Sequence, residues 1–484
     1  MAVVELQQFI AGRWLAGRGA PVRSENPARP IETVAEGLTA SVGDARGAVE
    51  AAAAAAPAWA GTPAHERGAI LKRAALIVAT AAPTWGEELA REEGKTLAEG
   101  QGEVRRAAQI LEYFGNDADR EVGGLYNSPR RGERIMVTRR PLGVVAVITP
   151  FNFPIAIPAW KIAPALAYGN AVVWKPAGTV PLLAVRLVQA LHEAGLPAGI
   201  LNLVLGEGEV GTALIEHPGV DGVSFTGSTA VGRAIASAGA ARGIPVQAEM
   251  GGKNAAIVLA DADLDLAVEQ VLAGAFNSAG QKCTATSRLI VHESVSAEFF
   301  GAVASRADEM TVGDPTAEGV RMGPVITAGA RDSITASVAA AVGAGARPLT
   351  SRSLQLPSGL ADGHFVAPTV LDCTGVDVSL WNDELFGPVL AARSVTSTEE
   401  AFALANAGEF GLSAAVFTND LGIALDAINA ITVGMLHINS ETAGADPHVP
   451  FGGAKGSGLG PQEQGTAARE FYTHPTTVYL RGGA

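Results

Sequence analysis

Cysteine is scarce: Cys283 and Cys373 are the only two among 484 residues, ninety positions apart, with no Cys-x-x-Cys and no Cys/His cluster. That scarcity excludes a disulfide framework, offers no zinc-ligand spacing, and fits a reducing, cytoplasmic setting with no metal. Positive charge is also short, 35 Lys and Arg against 49 Asp and Glu, for a formal net charge of −14. Binding to phosphate backbones or anionic lipid needs clustered cations, so no nucleic acid and no membrane is expected as a partner. A small anion held at a helix N-terminus stays compatible with that field. No apolar run reaches the length of a membrane span: the alanine run at residues 51–56 is flanked by Glu50 and Pro57 and reads as helix. The first eight residues lack a basic stretch followed by an apolar one, so no secretory signal is expected. What is abundant is apolar content, 48% of the residues, enough for a sizeable core split over two or three domains.

The early chain has helical spacing, with amphipathic segments expected at residues 44–60, 64–80 and 85–113, punctuated by Pro57, Pro63 and Pro83. Residues 134–140 have strand-like content between charged flanks, an exposed ribbon suited to pairing with another subunit. From Leu142 short apolar runs (143–148, 171–174, 201–205, 222–225 and 246–249) alternate with helical stretches, the pattern of crossover units and a parallel sheet. A second alternation starts at 254–259 and continues through helix 264–277, strand 287–291 and helix 296–310. A loop is expected at 348–358 and a final strand at 476–480.

Five segments can carry chemistry. Cys283, in Gly-Gln-Lys-Cys-Thr, offers a thiolate nucleophile whose pKa Lys282 or a helix N-terminus would lower; the competing reading is a buried structural thiol, which is how Cys373 reads. Glu249 ends an expected strand ahead of Gly251 and Gly252, as a base for water or as a solvated strand-end charge. The stretch from Phe225 to Gly232 runs from strand through glycine turn into helix, with Gly227, Ser228 and Gly232 suited to a pyrophosphate or to an ordinary N-cap. Asn152, in Thr149-Pro150-Phe151-Asn152-Phe153-Pro154, is an oxyanion donor or a turn residue. Lys175 ends another strand, as an ammonium for ribose hydroxyls or as a surface lysine.

Taken in order, Pro-Phe-Asn-Phe-Pro, Trp-Lys-Pro-Ala, Phe-Thr-Gly-Ser-Thr, Glu-Met-Gly-Gly-Lys, Gly-Gln-Lys-Cys, Glu-Leu-Phe-Gly-Pro and Pro-Phe-Gly-Gly-Ala-Lys-Gly-Ser-Gly make nearly the whole chain resemble the aldehyde dehydrogenase superfamily, as does the 34-residue interval from Glu249 to Cys283. The resemblance implies an α/β fold: a Rossmann-type cofactor domain (1–121 and 141–250), an α/β catalytic domain (251–450) and a small β oligomerisation ribbon (122–140 and 466–484). It implies Cys283 as nucleophile, Glu249 as general base and Asn152 with the Cys283 N–H as oxyanion hole. Thr149, Pro150, Lys175, Gly227, Ser228, Gly232, Glu384 and Phe386 are implied at the cofactor. Phe153, Trp160, Lys282, Thr284 and, less directly, His448 are implied at an aldehyde with aromatic or carboxylate-bearing character. The chain would then form a homodimer or homotetramer.

That chemistry runs from thiohemiacetal to thioester to free acid, with NAD or NADP taking the hydride. Relatives that pass the thioester to coenzyme A lack the base, so Glu249 favours hydrolysis. A coenzyme A-acylating semialdehyde dehydrogenase, a catalytically silent scaffold and a cofactor-free thiol hydrolase are the alternatives. Two departures stand out. NAD-preferring members often carry Glu three residues after the lysine, where this chain has Gly178, which leaves room for NADP and tilts the cofactor expectation towards it. Near the end, Gly460-Pro461-Gln462-Glu463-Gln464 puts Gln462 where an auxiliary carboxylate is usual, unless Glu463 takes its place. The segments around Cys283 and Pro461 are similar to those of 2-oxoglutarate semialdehyde dehydrogenases.

Overall fold

Apolar runs that alternate with helical ones do become strands and helices, in the following order. The computed structural model describes residues 3–120 and 123–482. Residues 1–2, 121–122 and 483–484, at the margins of the expected domains and ribbon, lie outside the described residues. The chain begins with β1 (Val4–Leu6), β2 (Gln8–Ile10), β3 (Arg13–Leu15), β4 (Pro21–Asn26) and β5 (Arg29–Leu38), then α1 (Val42–Gly61), α2 (Ala64–Glu93) and α3 (Leu97–Asp117). Strands β6 (Gly123–Asn127) and β7 (Glu133–Pro141) precede β8 (Val144–Ile148), α4 (Ala156–Ala167), β9 (Ala171–Lys175), α5 (Leu182–Glu193), β10 (Leu201–Leu203), α6 (Gly208–Glu216), β11 (Gly222–Thr226), α7 (Thr229–Arg242) and β12 (Val246–Glu249). A second series follows: β13 (Asn254–Val258), α8 (Leu264–Phe276), β14 (Thr286–His292), α9 (Glu293–Asp308), α10 (Ala328–Gly343), β15 (Arg347–Pro348), β16 (Thr369–Asp372), β17 (Val389–Val395), α11 (Thr398–Asn406), β18 (Phe410–Gly411), β19 (Ser413–Phe417), α12 (Leu421–Ala430) and β20 (Met435–Ile438). The chain then makes the two-residue strands β21 (Ala454–Lys455) and β22 (Gly458–Leu459), α13 (Ala467–Tyr472) and β23 (Thr473–Arg481).

The first sheet has the order β22-β12-β11-β8-β9-β10-β2-β3, and β12 to β10 are parallel. Every residue of β8, β9 and β11 is buried, as parallel strands covered on both faces require. From β8 the chain builds β9 and β10 on one side and then β11 and β12 on the other, so the order reverses between β8 and β11. Ligands of open parallel sheets bind outside the carboxyl ends of the strands at such a reversal. The second sheet, β15-β16-β17-β14-β13-β19-β20, has its own apolar core, in which Cys373 is fully buried as a structural thiol. The first core gathers α2, α3, α4 and α5 and reaches Phe471 and Tyr472 of α13, so the C-terminal part of the ribbon begins at β23.

Two expectations need correction. The second and third helices divide at residues 94–96, not around Pro83, which lies inside α2. Pro83 and Ala79, the residue whose carbonyl it leaves unpaired, are both exposed, so that carbonyl faces solvent and the helix continues. The real break is Gly94 at φ 98°, followed by a capping box in which Thr96 and Glu99 satisfy each other's backbone N–H. The strand at 134–140 does not await a foreign strand either. It belongs to β7, the middle of the antiparallel sheet β23-β7-β6, paired on both edges by its own chain; the free edges are β6 and β23.

Candidate active site

The carboxyl ends of β8, β9 and β11 open onto a cavity of about 550 Å³. Thr149, Pro150, Asn152, Lys175, Gly227, Ser228, Glu384, Phe386 and Cys283 line it. A second cavity of about 310 Å³ lies on the other side of Cys283, lined by Phe153, Trp160, Lys282 and Thr284 with Arg106 and Phe451. Among the described residues, Cys283 is the one that the two linings share. A structural thiol has no reason to stand between two cavities.

The turn ahead of the cysteine is conformationally strained. Ser278 and Ala279 adopt φ values of 55° and 51°, a left-handed region that costs non-glycine residues energy, before Gly280 at 68°. Long-range hydrogen bonds hold it: Glu99 of α3 accepts from the Ser278 N–H at 2.6 Å, and Asn254 Nδ2 donates to the carbonyls of Cys283 (2.7 Å) and Ala285 (2.9 Å). A Cβ on Gly252 would stand 2.6 Å from the Cys283 carbonyl, so the glycine pair after Glu249 admits the cysteine loop. Burial, with the Glu384 and Glu249 carboxyls nearby, pushes the Cys283 thiol up to about 12. Lys282 does not turn to the thiol; its Nζ meets the Ala273 carbonyl (3.3 Å) and Glu441 (3.6 Å).

Asn152 is 2% exposed and follows β8. Its backbone carbonyl accepts from Lys95 Nζ, whereas its side-chain amide has no hydrogen bond among the described residues and faces the larger cavity. Lys95 also donates to Glu103 at 2.7 Å and sits 3.8 Å over the Phe153 ring. Glu103 in turn accepts from the Ile155 and Ala156 N–H groups at the start of α4. Sequence reading missed Lys95, Glu99 and Glu103, whose partners lie far along the chain.

Glu249 is not a solvated charge, being 4% exposed, but it lines neither cavity. Its Oε2 accepts from the Gly453 N–H at 3.1 Å, and burial followed by the neighbouring Glu463 raises its pKa well above the carboxylate range. Glu463 is buried and paired with Lys161 of α4, whereas Gln462 is exposed. Lys161 also donates to Ser224 Oγ (3.0 Å), which donates to Gln247 (3.0 Å), a chain of polar groups running under the sheet beside Glu249. Lys161, Ser224 and Gln247 were not singled out in the sequence.

The larger cavity suits a dinucleotide. Ser228 stands at the N-cap of α7 without a side-chain capping bond, leaving first-turn N–H groups for an anion, and the buried Thr226 Oγ1 beside it is unpartnered. Lys175 is nearly buried, its Nζ donating to the carbonyls of Pro176 (3.0 Å) and Gly206 (2.9 Å), with its pKa lowered by burial. Glu384, pushed up to about 7 by burial, accepts from the Gly252 N–H at 2.9 Å. Phe386 takes φ 55° and packs edge-on against Phe151 at 5.6 Å. Two residues expected near the ligands do not line these cavities. Gly232 lies off the cavity, where its missing Cβ lets α7 close on Met250, and His448 is exposed and lines neither cavity.

Known proteins resemble the chain over nearly its whole length. The chain is 41% identical over 475 residues to alpha-ketoglutaric semialdehyde dehydrogenase of Bacillus subtilis (strain 168), covering 98% of this chain and 97% of that protein. It is 40% identical over 485 residues to phenylacetaldehyde dehydrogenase of Pseudomonas fluorescens, at 98% and 95% coverage. The crystal structure of betaine aldehyde dehydrogenase from Staphylococcus aureus in complex with NAD+ superposes with a TM-score of 0.94 at 32% identity, covering 98% of this chain and 95% of that one. The aldehyde dehydrogenase family model matches residues 14–478, and the chain belongs to that family.

Proposed function

We propose that Cys283, Asn152 and Glu249 carry out the oxidation in named roles, on an aldehyde that bears a distal carboxylate. The chain is an NAD(P)-dependent aldehyde dehydrogenase that converts an aldehyde to its acid. The carrying observation is that Cys283 alone connects the two cavities, so a carbonyl entering from the side of Phe153 and Trp160 meets the thiol at the mouth of the cofactor cavity. Thiolate attack gives a thiohemiacetal whose oxyanion the free Asn152 amide and the Cys283 N–H stabilise. A nicotinamide bound in the larger cavity would accept the hydride. Thr149, Pro150, Lys175, Gly227, Ser228, Glu384 and Phe386 are the residues that would hold that cofactor. The thioester left on Cys283 is hydrolysed by water that Glu249 deprotonates, after Glu249 has passed its own proton towards the Lys161–Glu463 pair.

Arg106, paired with the exposed Asp446 at 3.0 Å, and Lys282 supply cations to the aldehyde cavity, which favours a semialdehyde. The ring walls of Phe153, Trp160 and Phe451 favour an aromatic aldehyde as the second reading. We divide the chain into a cofactor unit on the first sheet, a catalytic unit on the second and an oligomerisation ribbon, which makes it a homodimer or homotetramer. Both cysteines are free, which fits a reducing cytoplasm, and no helix among the described residues is long and apolar enough to cross a membrane.

The test is cofactor reduction, without coenzyme A, over aliphatic, aromatic and carboxylate-bearing aldehydes. Carboxylate-bearing aldehydes should show the highest kcat/KM. Cys283→Ala should abolish turnover, and Glu249→Gln should slow the steady state while keeping a burst of reduced cofactor. Comparable steady-state activity in both variants overturns the role assignments.

A further inference from the structure

Gly178 lines the cofactor cavity just after Lys175, and the space a side chain would take there is held by a different element. A Cβ at Gly178 would fall inside van der Waals contact of the Glu207 carboxylate, 3.1 Å from its Cδ. Glu207 comes from the turn that joins β10 to α6, next to the Gly206 carbonyl that holds Lys175 Nζ. It is the N-cap of α6 yet makes no side-chain capping bond, and it has no hydrogen bond to another side chain among the described residues. Both carboxylate oxygens are therefore left to face the cavity that Glu207 lines.

We propose that Glu207 reads the adenosine ribose of the cofactor and makes this enzyme prefer NAD to NADP. This rests on the larger cavity being the dinucleotide site. The reacting end of that cavity is fixed by Cys283, so the end of β9 at Lys175 and the β10–α6 turn at Glu207 receive the other end of the cofactor. A carboxylate accepts hydrogen bonds from a ribose diol but repels a 2′-phosphate, which an arginine would have to neutralise. Among the described residues the cavity lining has no arginine, and Lys175 is its one cation, set against Glu207 and Glu384. The absence of a carboxylate at position 178, which taken alone leaves room for the 2′-phosphate, instead makes room for a carboxylate from position 207.

The test is equilibrium binding of NAD and of NADP, each followed by calorimetry on the same preparation of the full chain. The ratio of the two Kd values does not depend on the fraction of active protein. Wild type should bind NAD at least ~10-fold more tightly than NADP. Glu207→Gln should shrink that ratio several-fold, mainly through tighter NADP binding. Gly178→Ala, which displaces the Glu207 carboxylate, should shrink it too. Equal or tighter NADP binding by wild type, or an unchanged ratio in Glu207→Gln, overturns the inference while leaving the cavity assignment intact. Binding of neither nucleotide overturns both.

Discussion

A thiol pushed up to about 12 is almost wholly protonated at neutral pH, and the groups that push it are identifiable: first burial, then the Glu384 and Glu249 carboxyls. Only the thiolate alkylates, so iodoacetamide labelling of Cys283 in the free protein should accelerate about tenfold per pH unit between pH 7 and 9. Glu384 titrates near 7 and is charged above it. Glu384→Gln removes that charge, lowers the thiol pKa and should speed labelling several-fold at pH 9, with little effect at pH 6. Cys373, enclosed in the second core, should stay unlabelled. A rate flat from pH 7 to 9 would mean a thiol already ionised and would sink this account. The sequence pointed to Cys283, Glu249 and Asn152, because each stands in a local segment with a chemical reading of its own. It did not point to Lys161 or Glu207. Lys161 acquires meaning from Glu463, 302 residues away, and Glu207 from the side chain that Gly178 lacks, whose space its carboxylate fills.

α3 shows how a helix that supplies no reacting atom can set the geometry of those that do. Glu99 holds the strained turn ahead of Cys283, and Glu103 with Lys95 holds Asn152 and the first N–H groups of α4. Lys95 and Glu103 are each 2% exposed at the side chain, so the pair is a buried one. Removing one partner strands the other charge in a low dielectric, at a cost of about 3–5 kcal/mol. Lys95→Met should therefore lower stability by about that amount in urea unfolding and reduce kcat more than cofactor affinity, because it frees the Asn152 backbone. A loss below about 1 kcal/mol would show that the pair contributes no more than an exposed ion pair does. The start of α3 was legible in principle: Gly94, then Thr96 with Glu99 three residues on, is a helix stop followed by a capping box. The prolines drew attention instead, yet Pro57 and Pro83 both sit on exposed helix faces where a lost hydrogen bond is solvated. The strands β8 to β14 were placed well because buried parallel strands are continuous apolar runs, whereas β1 to β5 and β16 to β20 were not singled out; what the runs do not carry is their order in the sheet.

At the scale of the whole molecule the β6–β7–β23 ribbon stands out because its own chain pairs all three strands but leaves both faces partly open. Register places Tyr126, Ile135 and Tyr479 in one row on one face, and Leu125, Met136 and Val478 in one row on the other. Leu125 is 84% exposed and Tyr126 and Tyr479 are each 59% exposed. A three-stranded sheet gains stability when an apolar face is covered, and exposed rows of this kind are where a second chain would cover it. With a net charge of −14, two copies repel one another at long range, so association has to draw on apolar burial of this sort. Light scattering on the purified protein should give the mass of a dimer or tetramer. Because the two rows face opposite ways, Leu125→Asp and Tyr479→Asp probe the faces separately, and the substitution on the covered face should return the mass towards that of one chain. Neither residue lines either cavity, so each variant should retain the wild-type NAD affinity as a check that the first sheet is intact. A wild-type monomer, or an assembly that survives both substitutions, would remove the ribbon from the interface and leave its exposed rows to be explained by another partner.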